Sequence, residues 1–218
     1  MNLPELSYLA ASILFVLGLK KLSSPKTARA GNLWAAVGMG VAIVGTLLLP
    51  GMSNFGLIAA AIVVGTVPGW LLAKKVKMTD MPQMVSLFNG MGGACALFIS
   101  ISEYLHGSEQ VAPILFGTVF GAISFTGSLV AFGKLQGLVS EKQVRLPLHQ
   151  VWSIGLTLAT AYTCYLSYVH QPLPGVEIAN AAFFAVVAIS LFMGIVQVLP
   201  IGGADMPVVV SMLNSYSG

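Results

Sequence analysis

Charge in this chain is confined to the breaks between long apolar stretches, and that segregation limits the fold more than any other feature. The apolar runs cover about 5–20, 32–49, 55–73, 82–102, 112–133, 149–169 and 179–199, and an eighth starts at about 207. A helix needs about 20 apolar residues to cross roughly 30 Å of hydrocarbon. Inside lipid the backbone must satisfy its own hydrogen bonds, which leaves helices or closed barrels. The period-two alternation of a barrel strand is missing. The sequence therefore predicts an all-α, polytopic transmembrane helix bundle, with one membrane domain over 1–218. From 207 to 218 the eighth run reaches only about 18 Å as a helix, so it reads as the start of a span in a longer protein. The first run lacks a signal-peptide cleavage pattern, and six more follow it.

Charged residues make up 8% of the 218 positions, against about a quarter in soluble domains. The 24 glycines suit helices that approach closely in lipid. Cys95 and Cys164 both fall in apolar runs, so neither a disulfide framework nor a metal cage is expected. A formal charge of +3 does not argue for nucleic acid, because the ten Lys and Arg follow a topological rule. Taken loop by loop, four lie at 20–29 and three at 74–77, while Lys134, Lys142 and Arg145 share the fifth loop. The alternate loops hold none. By the positive-inside rule the basic loops face the cytoplasm and the N terminus faces the opposite side.

Fourteen residues occur twice in related spelling. Asp205 to Gly218 aligns without gaps on Asp80 to Gly93 and is identical at seven of the fourteen positions. Each copy reads as a helix start, with Asp as a candidate N-cap and Pro in the first turn. Ser86 with Asn89, and Ser211 with Asn214, then give two short polar stripes at three-residue spacing. Both starts lie on the basic side, which makes the repetition parallel and not inverted. An amide at that depth needs partners. It serves either as glue between helices or as part of a water-lined path. Asp80 has Lys77 close by and reads as a cap; Asp205 follows Gly202-Gly203-Ala204 without a nearby cation and suits a proton entrance or a docking contact.

No Asp, Glu, Lys, Arg or His falls in the middle of an apolar run, so a proton relay would need ordered water or a group from another chain. In the fifth run Gly117, Gly121, Ser124, Gly127, Ser128 and Ala131 form small-residue rows, predicting close packing, with Thr126 and Ser128 as alternative water ligands. Gly65 with Gly69, and Gly90 with Ala94, look similar. His106, His149 and His170 show no metal or haem spacing. Dinucleotide fingerprints, phosphate loops and nucleophile elbows are missing.

Residues 202–218, GGADMPVVVSMLNSYSG, resemble the signature of the β subunit of proton-translocating NAD(P) transhydrogenase. Residues 125–135 and 73–82 match that subunit as well, and the resemblance covers essentially the whole chain. It implies the membrane domain of the Re/Si-specific enzyme in a bacterial inner membrane, with nine spans and a soluble NADP(H)-binding domain in the full subunit. The implied partners are an α subunit that binds NAD(H) and adds spans, the NADP(H) domain, a second αβ unit and lipid. No cofactor is expected on this chain itself. The resemblance makes Asp205 the coupling carboxylate at the cytoplasmic mouth and Asn214 a polar position on the proton path. Asn89 stands where some members carry histidine, and an amide does not titrate near neutral pH. The expected proton-path or coupling set is Asp205, Asn214, Asn89, Ser211, Ser86, Ser128 and Thr126. The alternatives are a self-contained secondary transporter and a purely structural membrane anchor.

Overall fold

The computed structural model describes residues 3–108, 110–144, 148–170 and 177–217. Every regular element among them is helical: α1 (Leu3–Leu22), α2 (Ala28–Leu47), α3 (Phe55–Lys75), α4 (Met81–Leu105), α5 (Val111–Leu135), α6 (His149–His170), α7 (Glu177–Val198) and α8 (Met206–Ser217). The helices overlap the apolar runs, with ends that differ by up to four residues. Among the described residues, six helices are long and apolar enough to cross a membrane. The exceptions are α8, at 12 residues, and α6, whose 22 residues include several Ser, Thr and Tyr. This is a multi-pass membrane protein built as a helix bundle.

Two compact units divide the chain, Met1–Lys74 and Lys75–Gly218. In the first, α1 lies on α2 along a seam of small residues: Ala11, Gly18, Gly31, Gly38 and Gly45 are buried. A Cβ on Gly31 would stand 2.6 Å from the Gly18 carbonyl oxygen, so the two backbones touch, and a side chain there would push them apart. The Tyr8 and Thr46 hydroxyls, 2.9 Å apart, join the other end of the pair. No residue of α3 is buried, and a Cβ on Gly65 or Gly69 would meet nothing within 4 Å. Among the described residues, the packing role expected of that glycine pair is not filled.

The second unit is organised around α5, which is flanked by α4, α7 and α8, while α6 rests mainly on α7. Glycine makes this arrangement possible on three sides of one helix. A Cβ on Gly93 of α4 would lie 2.7 Å from the Phe125 nitrogen and 2.8 Å from the Gly121 oxygen. On the α7 side, a Cβ on Gly194 would lie 2.6 Å from the Ile123 oxygen. Gly127 leaves room for Leu213 of α8 and Val198 of α7, both 3.1 Å from where its Cβ would be. Apolar side chains fill the remaining space: Ile123, Ala131, Met193, Val198, Met206, Val209, Val210 and Leu213 form one buried cluster. Tyr104, stacked on Phe183 at 3.7 Å between ring centroids, anchors another with Val111, Ile114, Leu115 and Val186.

Backbone contact of this kind gives a sharp stability contrast. Gly93→Ala is expected to destabilise the bundle by about 1–3 kcal/mol, because the new methyl meets main-chain atoms that cannot turn aside. Gly92→Ala, one position along, meets nothing within 4 Å and should be neutral or stabilising by up to about 1 kcal/mol. Thermal unfolding in detergent would separate the two; equal midpoints would refute the packing account.

Candidate functional site

The two related segments adopt the same local structure. A residue in extended conformation, Lys77 or Gly202, leads into one turn of 3-10 helix, Met78–Asp80 or Gly203–Asp205, and the α-helix follows at Met81 or Met206. Pro82 sits in the first turn of α4, where its missing N–H costs nothing. Asp80 holds the N-cap position, as expected, but makes no side-chain capping bond. Its φ of −98° and ψ of 2° are already close to helical, so the carboxylate is not aimed back at the first-turn amides. It accepts instead from the Thr79 hydroxyl at 3.1 Å.

Deeper in α4, the polar stripe faces α5. The Asn89 amide nitrogen donates to the Ser128 hydroxyl at 2.9 Å and to the Ser124 hydroxyl at 3.2 Å. Ser86 donates to the Ser128 carbonyl at 2.8 Å. Ser86, Ser124 and Ser128 are completely buried, and Asn89 is 8% exposed. The cluster reaches the third helix through Ser124, whose hydroxyl lies 3.4 Å from the Leu213 carbonyl of α8. A hydroxyl that accepts from Asn89 and donates to Leu213 thus links α4, α5 and α8 in one line. Asn89 stands eight residues past Met81, about 12 Å along the helix.

The expected site residues separate into three places. Ser86, Asn89 and Ser128 come together. Thr126 points from α5 toward α7, where its hydroxyl lies 2.7 Å from the Leu191 carbonyl. Ser211 and Asn214 are exposed, as is Asp205. On α8 the residues turned to the core are Met206, Val209, Val210 and Leu213. Their counterparts on α4 are Met81, Met84, Val85 and Phe88, none of them buried. The two helices share a spelling and present opposite faces to α5.

One residue joins the site that the sequence did not single out for it, and a second lies buried at the end of α5. Ser124 was legible only as part of a small-residue row; its four-residue spacing from Ser128, facing Asn89, was the available signal. Lys134 is fully buried, although it sits in the last turn of α5, where a lysine ordinarily marks the cytoplasmic edge. Its ammonium donates to the carbonyls of Leu199 at 2.5 Å and Ile201 at 2.7 Å.

Among the described residues no three His, Cys, Asp or Glu gather to hold a metal ion. A groove of about 550 Å³ between α5 and α6, lined by Leu115, Phe120, Thr160 and Tyr165 among others, is almost wholly apolar.

Residues 4–218 match the family described as NAD(P) transhydrogenase beta subunit. The chain belongs to that family. It is also similar to two Rhodospirillum rubrum proteins named NAD(P) transhydrogenase subunit beta, each 37% identical over 229 aligned positions. The alignments cover all of this chain and 48% of each relative, so the chain spans about half the length of the curated relatives it matches. Among the described residues, the Ser86–Asn89–Ser124–Ser128 cluster is a buried polar feature of this transhydrogenase-family helix bundle.

Proposed function

We propose that this chain is the proton-translocating membrane domain of an NAD(P) transhydrogenase, coupling proton flow to hydride transfer from NADH to NADP⁺ at nucleotide sites outside these residues. The observation that carries the proposal is the buried polar line from Ser86 and Asn89 through Ser124 and Ser128 to the Leu213 carbonyl. Polar groups are costly in a bilayer and mark pathways as well as contacts. No group in that line titrates near neutral pH, so the proton-carrying side chain comes from a partner chain, the α subunit. This chain supplies oriented hydroxyls and an amide that can solvate it. Ser211 and Asn214, on the outer face of α8, are placed to meet such a partner, and Asp205 and the basic loops to meet the NADP(H) domain. Two such αβ units make the complex.

The positive-inside orientation, with the N terminus periplasmic, rests on the ten Lys and Arg falling in alternate loops. The Lys21 and Lys74 ammonium groups lie 5.1 Å and 4.0 Å from the ring centroids of Trp34 and Trp70, and Trp152 falls in the first turn of α6. The three rings lie toward helix ends, and aromatic belts form at both faces of a bilayer. Proton flux into liposomes tests the proposal: the purified chain alone should conduct little, and flux should appear with the α subunit present. Robust, saturable flux from the chain alone would establish a self-contained transporter in its place.

A further inference from the structure

We infer that Lys134 is a positioning residue that fixes the corner between α7 and α8, and with it the place of Asp205 at the membrane face. This rests on the coupling role proposed above for Asp205. A buried ammonium is expensive unless its protons are all well used. Here both observed bonds go to main-chain carbonyls, Leu199 and Ile201, just past the end of α7 at Val198. A helix C-terminus leaves such carbonyls without partners and carries partial negative charge, so a cation satisfies both needs at once.

The surroundings show that the end of α5 is itself held firmly enough to act as an anchor. Leu138 N–H donates to the Gly133 carbonyl at 2.8 Å and Gly137 N–H to the Lys134 carbonyl at 3.1 Å. With Gly137 at φ +70°, these bonds form a glycine-terminated helix cap. The Gln83 side chain of α4 donates to the Leu135 carbonyl at 2.8 Å and accepts from Gln136 at 2.8 Å. The segment beyond α5 then returns to the same corner, where Gly203 N–H donates to the Glu141 carbonyl at 2.9 Å. One helix end therefore holds the starts of both α4 and α8. From Ile201, whose carbonyl Lys134 grips, only Gly202, Gly203 and Ala204 separate the anchor from Asp205.

The test uses the complete transhydrogenase reconstituted in proteoliposomes. In Lys134→Met, amide hydrogen exchange across 199–206 should accelerate about tenfold or more, proton-coupled turnover should fall by a similar factor, and hydride exchange without net proton flow should stay within about twofold. Lys134→Arg, which keeps charge and donors, should restore a substantial part of the coupled rate. Should Lys134→Met not assemble, Lys134→Gln, a shorter neutral donor, should show the same accelerated exchange and selective loss. Unchanged exchange at 199–206, or equal loss of both activities in an assembled variant, overturns the inference. If the corner loosens but Asp205→Asn leaves coupling intact, Lys134 fixes the corner and the role of Asp205 is what fails.

Discussion

Asp205→Asn should lower proton-coupled turnover of the assembled enzyme by about tenfold or more, while hydride exchange that needs no net proton flow changes by less than about twofold. The substitution removes a charge and almost nothing else. Asp205 is exposed, and its backbone N–H is already committed to the Gly202 carbonyl at 3.1 Å, within the 3-10 turn. Below it, Met206 is fully buried and keeps α8 seated whatever the side chain above. An amide of the same shape should therefore preserve the fold and abolish only the electrostatic contact proposed for Asp205. Steady-state assays in proteoliposomes with and without an imposed proton gradient would distinguish the two activities. Equal loss of both in an assembled complex would rule out a specific coupling role.

The second large effect is expected at Asn89. Asn89→Leu removes both bonds to the α5 hydroxyls, at roughly 0.5–1.5 kcal/mol each. It also adds volume beside Gly90 and Gly93, where the helices are closest, at a further cost of about 1–3 kcal/mol. The thermal midpoint should fall by several degrees. If the cluster solvates a proton path, coupled turnover in the complexes that still assemble should drop by about tenfold or more, since an isobutyl group cannot orient water. If Asn89 is glue alone, the assembled Asn89→Leu enzyme will turn over at nearly the normal coupled rate despite its lower stability. Measuring both quantities on one preparation decides between the two roles.

The fold was legible because lipid imposes a simple rule. A run of about 20 apolar residues has few ways to satisfy its backbone, and each run from 5–20 to 179–199 became a helix. Close packing around α5 was also legible, since Gly121 and Gly127 permit what larger residues forbid. Gly65 and Gly69 carry the same spelling without the contact, because a small residue allows approach but does not name a neighbour. That Ser86 and Asn89 need partners could be anticipated from depth and cost; that α5 supplies them could not. Which face α8 would turn inward could not: Met206, Val209, Val210 and Leu213 form a stripe as regular as that of Ser211 and Asn214, and only the apolar space left by Gly127 favours the former. Lys134 was hidden by a rule that otherwise holds, for a lysine at a span end is counted as a loop charge until its carbonyl partners, more than sixty residues away, are known.

Asp80 to Gly93 and Asp205 to Gly218 thus carry two layers of constraint that can be separated. Asp, Met and Pro belong to the doorway, the turn by which the chain leaves the surface and becomes a helix, and that layer is common to both. The side facing α5 belongs to the neighbour, and there the segments diverge: hydroxyl, amide and glycine on α4, methionine, valine and leucine on α8. The helix α5 is consequently met by polar groups along one flank and by apolar ones along another, both from relatives of a single short phrase. Asymmetry across a membrane core can therefore arise from a change in rotational phase alone, without a new sequence being invented for either side.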